Sequence, residues 1–168
     1  MAVTYEPIAS QTLGSDTATV TFSSITGSFS DLILVTDTKR TVAGTAGADI
    51  LVRFNSDTAS NYSATYLQGN GTTASSGRAS SQTSINYVPS VETSATSTGV
   101  AAIQIMAYSN TNVFKTVLVS GGAPIEFVRR VVGLWRSTSA ITSIDVLASS
   151  GSLKSGSTFS LYGIKAAA

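Results

Sequence analysis

The 168-residue chain contains neither cysteine nor histidine. These absences exclude a disulfide framework, a zinc site with thiolate or imidazole ligands, a cysteine nucleophile and a histidine general base. Charged residues are also scarce, at 11% of the chain, against about 25% in an ordinary domain. The formal net charge of +1 gives little long-range attraction for nucleic acid or anionic lipid, so neither is an expected partner.

Long apolar runs are missing as well. No run reaches the roughly 18 apolar residues that cross a bilayer, so no membrane association is expected. Residues 1–7 lack the basic start and apolar core of a secretory signal. The sequence therefore predicts a soluble product that is not exported and needs no particular redox environment.

Hydroxyl side chains take the place of the missing charges, because Ser and Thr supply 28 and 23 residues. They alternate with apolar residues in several short segments, for example in residues 17–22 and 49–55. A period of two is typical of strands with one buried face and one solvated face. The length suits one domain with a real core, and no change in composition marks a boundary, so residues 1–168 are predicted to form a single domain.

Turn residues separate the candidate strands at intervals of about a dozen residues, a spacing typical of all-β sandwiches and barrels. The fold prediction is an antiparallel β-sandwich of jelly-roll type with about ten strands. Residues 31–35 are apolar throughout, so this strand is expected to be central and covered on both faces. The strand candidates are residues 5–13, 17–22, 31–35, 49–55, 62–68, 84–88, 100–108, 114–119, 125–136, 141–147 and 159–164.

The segment from about residue 69 to residue 99 departs from this pattern. It consists mostly of Ser, Thr, Gly and Ala, interrupted by an apolar stretch at residues 85–88. We expect either a mobile loop or an arm that is ordered by what it touches.

Two chemical activities remain open on the residues alone. A glycosidase needs two carboxylates that face each other, and the nine Asp and Glu residues do not exclude such a pair. Asn55, Asp57 and Asn61 offer oxygen ligands for calcium, but an Asx-turn between strands suits the same residues and is preferred. No catalytic residue, metal or cofactor is therefore assigned.

Aromatic and arginine side chains are the candidate contact residues. Tyr62 and Tyr66 share one face of an extended segment and stand beside the turn at 69–71, so they are the first choice for a contact patch. Arg129 and Arg130 point to opposite faces of a strand, and arginine is a common anchor at protein interfaces. The remaining candidates could stack on a sugar or pack in the core: Tyr5, Tyr87 and Trp135.

The order of several short motifs resembles a known family. They are VTFSSI at 20–25, FSDLILV at 29–35, RFNSD at 53–57, NYS at 61–63, AITSI at 140–144 and GSTFSLYGI at 156–164. The pattern is similar to small β-sandwich structural proteins encoded among the virion genes of tailed bacteriophages, including cyanophages. It covers nearly the whole chain, and the closing GSTFSLYGI and RFNSD–NYS elements are its more specific parts.

The resemblance implies a non-enzymatic virion component. The leading hypothesis is a capsid decoration (cement) protein, assembled in the host cytoplasm, that binds the major capsid protein on the capsid surface as a homotrimer. Residues 1–5 and 72–84 are its candidate contact elements. The alternative is a tail-fibre or baseplate domain that recognises a cell-surface glycan, with Tyr62, Tyr66, Tyr87 and Trp135 stacking on the sugar. The predicted strand at the very start of the chain makes this alternative the less favoured one. A polysaccharide-cleaving enzyme is the third hypothesis.

Overall fold

The computed structural model describes residues 4–42, 49–92 and 96–165. Within these ranges the chain is all-β, with twelve strands and no helix, which exceeds the predicted number of about ten. The strands are β1 Tyr5–Thr12, β2 Thr19–Phe22, β3 Asp31–Thr38, β4 Asp49–Phe54, β5 Tyr62–Gly69, β6 Ala74–Gln82, β7 Ile85–Pro89, β8 Gly99–Ile105, β9 Lys115–Ala123, β10 Phe127–Trp135, β11 Ile144–Ala148 and β12 Thr158–Ile164.

The strands form two antiparallel sheets that pack face to face. The larger sheet has eight strands in the order β1-β12-β3-β8-β9-β10-β5-β6, and the smaller sheet has four in the order β2-β11-β4-β7. This arrangement confirms the predicted antiparallel β-sandwich. The jelly-roll topology and the single-domain assignment stay predictions.

The core lies between the two sheets and follows the alternation in the sequence. In β2, β4 and β12 every second side chain is buried, and the residues between them are half-buried or exposed. Burying one face of each strand removes apolar surface from water at about 25 cal/mol per Å². The core includes Val20, Leu32, Leu34, Ile50, Val52, Phe54, Ile85, Ile103, Ile105, Val117, Val119, Val131, Ile144, Val146, Phe159 and Leu161.

The prediction that residues 31–35 are covered on both faces is wrong for strand β3. It is central, since it lies between β12 and β8, but only one of its faces is covered. Leu32 and Leu34 are fully buried, whereas Val35 is 42% exposed. The smaller sheet covers only one side of the larger one, so an apolar run in this chain does not imply two buried faces.

The predicted loop or arm at 69–99 is also corrected, because it contains β6, β7 and the start of β8. A tight turn starts β6: Asn70 Oδ1 accepts hydrogen bonds from the backbone N–H groups of Thr72 and Thr73, and Gly71 adopts a φ of +87°. Strand β6 then pairs with β5 through its backbone, which needs no large side chains. Residues 93–95 lie outside the described part of the chain.

Candidate functional site

Two of the candidate contact aromatics are core residues. Tyr62 and Trp135 are buried, and their rings stack with centroids 6.1 Å apart. The backbone N–H of Phe54 donates a hydrogen bond to the Tyr62 hydroxyl at 3.1 Å, and Trp135 Nε1 donates to Asp57 Oδ2 at 2.7 Å. Burial raises the pKa of Tyr62 to about 12. The prediction of a contact role for Tyr62 and Trp135 is therefore corrected, because both rings are enclosed and their polar atoms are satisfied within the fold.

Arg129 is corrected for the same reason. Its side chain is 5% exposed and ion-paired with Asp49, with Nη1 and Oδ1 2.5 Å apart. Its Nε donates to the Gln68 side chain at 2.8 Å, and Nη1 also donates to the Tyr87 carbonyl at 3.1 Å. Burial raises the pKa of Asp49, and Arg129 acts in the opposite direction. The buried guanidinium therefore links β10 and β5 of the larger sheet to β4 and β7 of the smaller one through Nε and Nη1.

Tyr66 and Tyr87 surround this ion pair and are half-buried. Their ring centroids are 4.5 Å apart, and the Arg129 guanidinium lies 5.4 Å from the Tyr66 ring and 4.2 Å from the Phe127 ring. The structure thus brings Tyr66, Tyr87 and Arg129 together between β5, β7 and β10. Tyr66, one of the two tyrosines expected to form a contact patch, therefore lies with Tyr87 beside an internal charge and partly shields it from water.

Tyr5 and Arg130 are exposed, as surface contacts require. Tyr5 begins β1, at one edge of the larger sheet, while Arg130 lies on β10 near the other edge. The two do not share a patch, and a contact role for each stays a prediction. Of the two candidate contact elements, residues 1–3 lie outside the described part of the chain, and residues 72–84 form the end of a turn, β6 and the link to β7.

The oxygen-rich segment at 55–61 has the turn role that was preferred. Asn55 Oδ1 accepts hydrogen bonds from the backbone N–H groups of Thr142 and Ser143, and its Nδ2 donates to the Ala140 carbonyl. Asp57 accepts hydrogen bonds from the Ala59 backbone and from the Asn61 side chain. These oxygens connect β4 to the segment before β11 and to the start of β5.

Several aspartates have structural partners of the same kind. Asp31 accepts a hydrogen bond from the Ala107 backbone N–H, and Asp145 accepts hydrogen bonds from the hydroxyls of Thr21 and Ser56. In the described ranges, no three Asp, Glu, His or Cys residues form a group that could hold a metal ion. Carboxylates used as acceptors for loops and strands are typical of structural roles.

The unusual surface is the outward face of the eight-stranded sheet, which we call the outer face. Six large aliphatic side chains on it are 37–66% exposed: Val35, Leu67, Val100, Leu118, Val128 and Val132. Strand register places one pair directly opposite each other and separates the others by smaller or polar residues. Leu118 lies directly opposite Val132, and Val35 lies in the same row as Leu67, across Ala102, Ser120 and Arg130. Groups of exposed aliphatic side chains on one surface are typical of sites that bind another molecule.

The outer face carries few charged side chains. On the five strands with most of its exposed aliphatic residues, those charges are positive. Across β8, β9, β10, β5 and β6 its charged side chains are Arg130 and Arg78. Arg130 lies directly opposite Leu67 on one side and Ser120 on the other. Arginine is enriched among the residues that contribute most to protein interfaces.

A groove of about 590 Å³ opens at one end of the outer face. Val100 and Val128 line it, with Gly122 between them in the same row. The turn between β9 and β10 forms one wall, and Gly69 and Gly71 lie beside it. Glycine leaves no side chain over the sheet, so the surface is depressed there and can accept a protruding apolar group.

The opposite outer surface, on the four-stranded sheet, is different. Its exposed or half-buried side chains include Thr19, Thr21 and Arg53, and the Thr21 hydroxyl donates to Asp145 at 2.7 Å. Hydroxyl groups occur on both outer surfaces, because Ser63, Thr65 and Ser120 lie on the outer face as well. The outward aliphatic side chains of the smaller sheet, Leu51 and Leu147, are half-buried, so among the described strands the more exposed aliphatic side chains lie on the larger sheet.

The sequence contained a signal for the outer face. Consecutive apolar residues at 32–35, 117–119 and 131–132 interrupt the alternation of one-sided strands. Such runs are typical of strands with two covered faces. In the structure of this single chain one of those faces is open.

None of the described residues belongs to a helix that is long and apolar enough to span a membrane. Comparison with known protein-family models and with curated proteins gives no match to this chain.

Proposed function

We propose that the chain is a non-enzymatic structural protein of a tailed-phage virion, a capsid decoration (cement) protein that acts by binding. In this proposal it is assembled in the host cytoplasm and sits on the capsid surface. Its partner is the major capsid protein, and the outer face is the surface that contacts it.

The exposed aliphatic cluster on the outer face carries this proposal. A β-sandwich that acted alone in water would gain by placing polar residues at Leu67, Leu118 and Val132, since these side chains are 59%, 37% and 54% exposed. Their apolar character is explained if a partner covers them. The sequence resemblance supports the virion context, and the exposed aliphatic side chains support the choice of the outer face as the contact surface.

The physical requirements of a decoration protein agree with this molecule. It needs a rigid scaffold, a surface that binds, and a low net charge so that neighbouring copies do not repel each other. The net charge of +1 meets the last requirement. A modest interface repeated across a lattice then gives a large total stabilisation through avidity.

The experiment uses empty, expanded capsids of the phage whose genome encodes the chain. Purified protein is mixed with them and sedimented, and the temperature at which the capsids break is measured. The test variant, Leu118→Glu with Val132→Glu, puts two acids in the centre of the outer face. The matched control, Thr19→Glu with Ser23→Glu, puts two acids at exposed positions on or next to the four-stranded sheet.

We expect the wild type and the control variant to sediment with the capsids and to raise their breaking temperature, and the test variant to do neither. Absence of wild-type binding would overturn the virion proposal. Equal binding by both variants would overturn the assignment to the outer face.

The glycan-binding alternative has less support from the structure. Of its four expected stacking residues, Tyr62 and Trp135 are buried, and Tyr66 and Tyr87 are half-buried around Arg129. Saturable binding of the wild type to host glycans, together with no binding to capsids, would favour this alternative.

A further inference from the structure

The eight-stranded sheet ends in two edge strands that differ in their protection. The β1 edge contains Pro7, a β-bulge between Pro7 and Ala9, and the ion pair of Glu6 with Lys165. Proline, bulges and charges are the usual devices that keep an edge from pairing with another chain. Strand β6, at the other end, contains no proline, and its pairing with β5 is regular from Ala74 to Ala79.

The hydrogen-bond pattern shows which groups β6 leaves open. The backbone N–H of Asn70 donates to the Thr73 carbonyl, and Gly69 lies opposite Ala74. Along an antiparallel ladder, the N–H and C=O groups of one residue point toward the partner strand, and those of the next residue point away from it. The N–H and C=O groups of Ala74, Ser76 and Arg78 therefore point away from β5, and they have no hydrogen-bond partner in the described part of the chain.

The side chains of β6 do not obstruct an approaching strand. Between Ala74 and Ala79 the strand reads Ala-Ser-Ser-Gly-Arg-Ala, so Arg78 is its one large side chain. Ala74, Ser76 and Arg78 are all exposed. The open edge ends at Ser80 and Ser81, because the Gln82 side chain donates to the Ser80 carbonyl and Ser81 adopts a φ of 54°.

We propose that β6 pairs with β6 of a second copy of this chain, antiparallel, with the twofold axis at Ser76. Each Ser76 then lies opposite Ser76 of the other copy, and each Ala74 lies opposite the other copy's Arg78. All the open backbone groups of the two edges find partners in this register, with about six inter-chain hydrogen bonds. The two arginines stand at opposite ends of the ladder, about 13 Å apart along the strands.

Other registers are less complementary. Moving the axis to Arg78 places the two arginines directly opposite each other, which is unfavourable for like charges. Moving the axis to Ala74 leaves the backbone N–H and C=O groups of Arg78 without partners. The edge is thus complementary to itself in one register, and this favours a second copy over an unrelated strand.

The pair extends the eight-stranded sheet of each copy into one continuous sheet of about sixteen strands. Because a twofold axis between antiparallel strands is perpendicular to the sheet, both outer faces look in the same direction. A twofold pair replaces the threefold assembly that the sequence resemblance implies. This inference concerns self-association and does not depend on the proposed function.

The first measurement is the mass of the purified chain in solution, by light scattering after size exclusion, over a range of concentrations. We expect twice the 17.2 kDa of one chain at the higher concentrations. Ser76→Lys places two like charges at the axis and should weaken association at least tenfold. Ser80→Lys adds the same charge on the same strand beyond the open edge, so it should leave association unchanged.

Ser76→Pro is a second test of the same ladder. It removes an N–H that points away from β5, so the strand itself tolerates the change while the pairing is lost. Circular dichroism of each variant confirms that the β-sheet content is retained.

A cysteine variant tests the register directly, because the chain has no cysteine of its own. Directly opposed residues in an antiparallel ladder have Cα atoms about 5.5 Å apart, within the range of a disulfide. Ser76→Cys should therefore form a covalent dimer under oxidation, and Ser80→Cys should not.

Three outcomes would overturn the proposal. They are a monomer at all concentrations, a trimer, and a dimer that Ser76→Lys and Ser76→Pro leave intact. Association that is lost only in the Leu118→Glu and Val132→Glu variant would place the interface on the outer face instead. Capsid binding by a strictly monomeric wild type would leave the proposed function standing while this inference fails.

Discussion

At the scale of single residues, the polar groups of the buried aromatic cluster explain why those side chains are not contact residues. The Tyr62 hydroxyl lies between the backbone of Phe54 and that of Asp57, and Trp135 Nε1 reaches the Asp57 carboxylate. A buried polar atom without a partner costs about 1–3 kcal/mol, so such groups are held firmly. Tyr62, at the start of β5, and Trp135, at the end of β10, therefore stabilise the fold.

Substitution of Tyr62 by Phe removes one buried hydroxyl and leaves the Phe54 N–H without its acceptor. We expect the free energy of unfolding to fall by about 1–3 kcal/mol. Urea denaturation followed by tryptophan fluorescence measures it, since Trp135 stacks on this ring. Tyr5→Phe, at an exposed position, is the control and should change stability by less than about 0.5 kcal/mol. An equal effect of the two substitutions would contradict the buried hydrogen-bond network.

The same hydroxyl predicts a dependence on alkaline pH. Burial raises the pKa of Tyr62 from its usual 10 to about 12 in the folded chain. Between these values the unfolded chain loses the proton and the folded chain keeps it, so this contribution to stability is lost as pH rises. By about pH 11 the wild type should have lost on the order of 1 kcal/mol more than Tyr62→Phe. Urea denaturation of both proteins at pH 8 and pH 11 gives the comparison, and parallel losses would contradict it.

At the scale of elements, the connections between strands are fixed by side-chain amides. Asn55 follows β4 with a φ of 52°, a left-handed conformation that favours asparagine and glycine. Its side chain bonds to the backbone of residues 140, 142 and 143, which lead into β11. One residue therefore both completes a turn and fixes the segment that precedes the central strand of the smaller sheet.

Two substitutions separate these contributions of Asn55. Asn55→Ala loses the side-chain hydrogen bonds and strains the backbone, so we expect a loss of about 2–4 kcal/mol. Asn55→Gly loses the same hydrogen bonds but accepts the left-handed conformation, so its loss should be smaller by about 1 kcal/mol. Thermal and urea denaturation measure both. Equal losses would show that the backbone conformation carries no cost.

Addition of calcium to the wild type tests the discarded ligand role of Asn55, Asp57 and Asn61. The side-chain oxygens of Asn55 and Asp57 already accept hydrogen bonds. Asn61 Oδ1 is buried without a hydrogen-bond partner in the described part of the chain, but one such oxygen is far short of the six to eight oxygen ligands of a calcium site. We therefore expect no change in the melting temperature with calcium present, and a clear increase would restore the metal hypothesis.

At the scale of the whole molecule, the two outer surfaces of the sandwich differ in how far their aliphatic side chains are exposed. Each sheet of a two-layer sandwich has one face in the core and one face open to solvent, so the difference lies in which residues occupy the open faces. Charge reinforces the difference: the outer face carries Arg78 and Arg130 on its five strands from β8 to β6, while the opposite surface carries both Arg53 and Asp145. The exposed aliphatic side chains and Arg130 therefore share one surface of the molecule.

Polar substitution of the outer face should leave the fold intact and change the surface. We expect Leu118→Thr with Val132→Thr to lower the free energy of unfolding by no more than about 1–2 kcal/mol, since the two side chains are 37% and 54% exposed and threonine suits a strand. Binding of a hydrophobic fluorescent dye to the folded protein should fall several-fold. The matched change in the core, Val117→Thr with Val131→Thr, should instead destabilise the protein strongly. Unchanged dye binding would mean that the outer face is not the accessible apolar surface.

The parts of the fold that the sequence predicted are those with strong alternation. Residues 17–22 and 49–55 contain β2 and β4, because apolar and polar residues repeat there with the period of a strand. Strand β6 was missed because its Ser, Ala and Gly side chains carry no such period, and its pairing rests on backbone bonds to β5. The burial of the candidate contact residues was predicted less well, since the sequence does not distinguish an aromatic side chain in a core from one on a surface.

Composition and periodicity by themselves determined the all-β class, the antiparallel sandwich and the exclusion of cysteine, histidine and zinc chemistry, because these follow from residue types and local alternation. Only the tertiary structure decided which side chains are covered. Burial depends on how the two sheets are sized and stacked, so Tyr62, Arg129 and Trp135 became internal and Leu118 and Val132 stayed exposed. The physical reason is that strand register and sheet order join residues far apart in the chain, and no local pattern records that pairing.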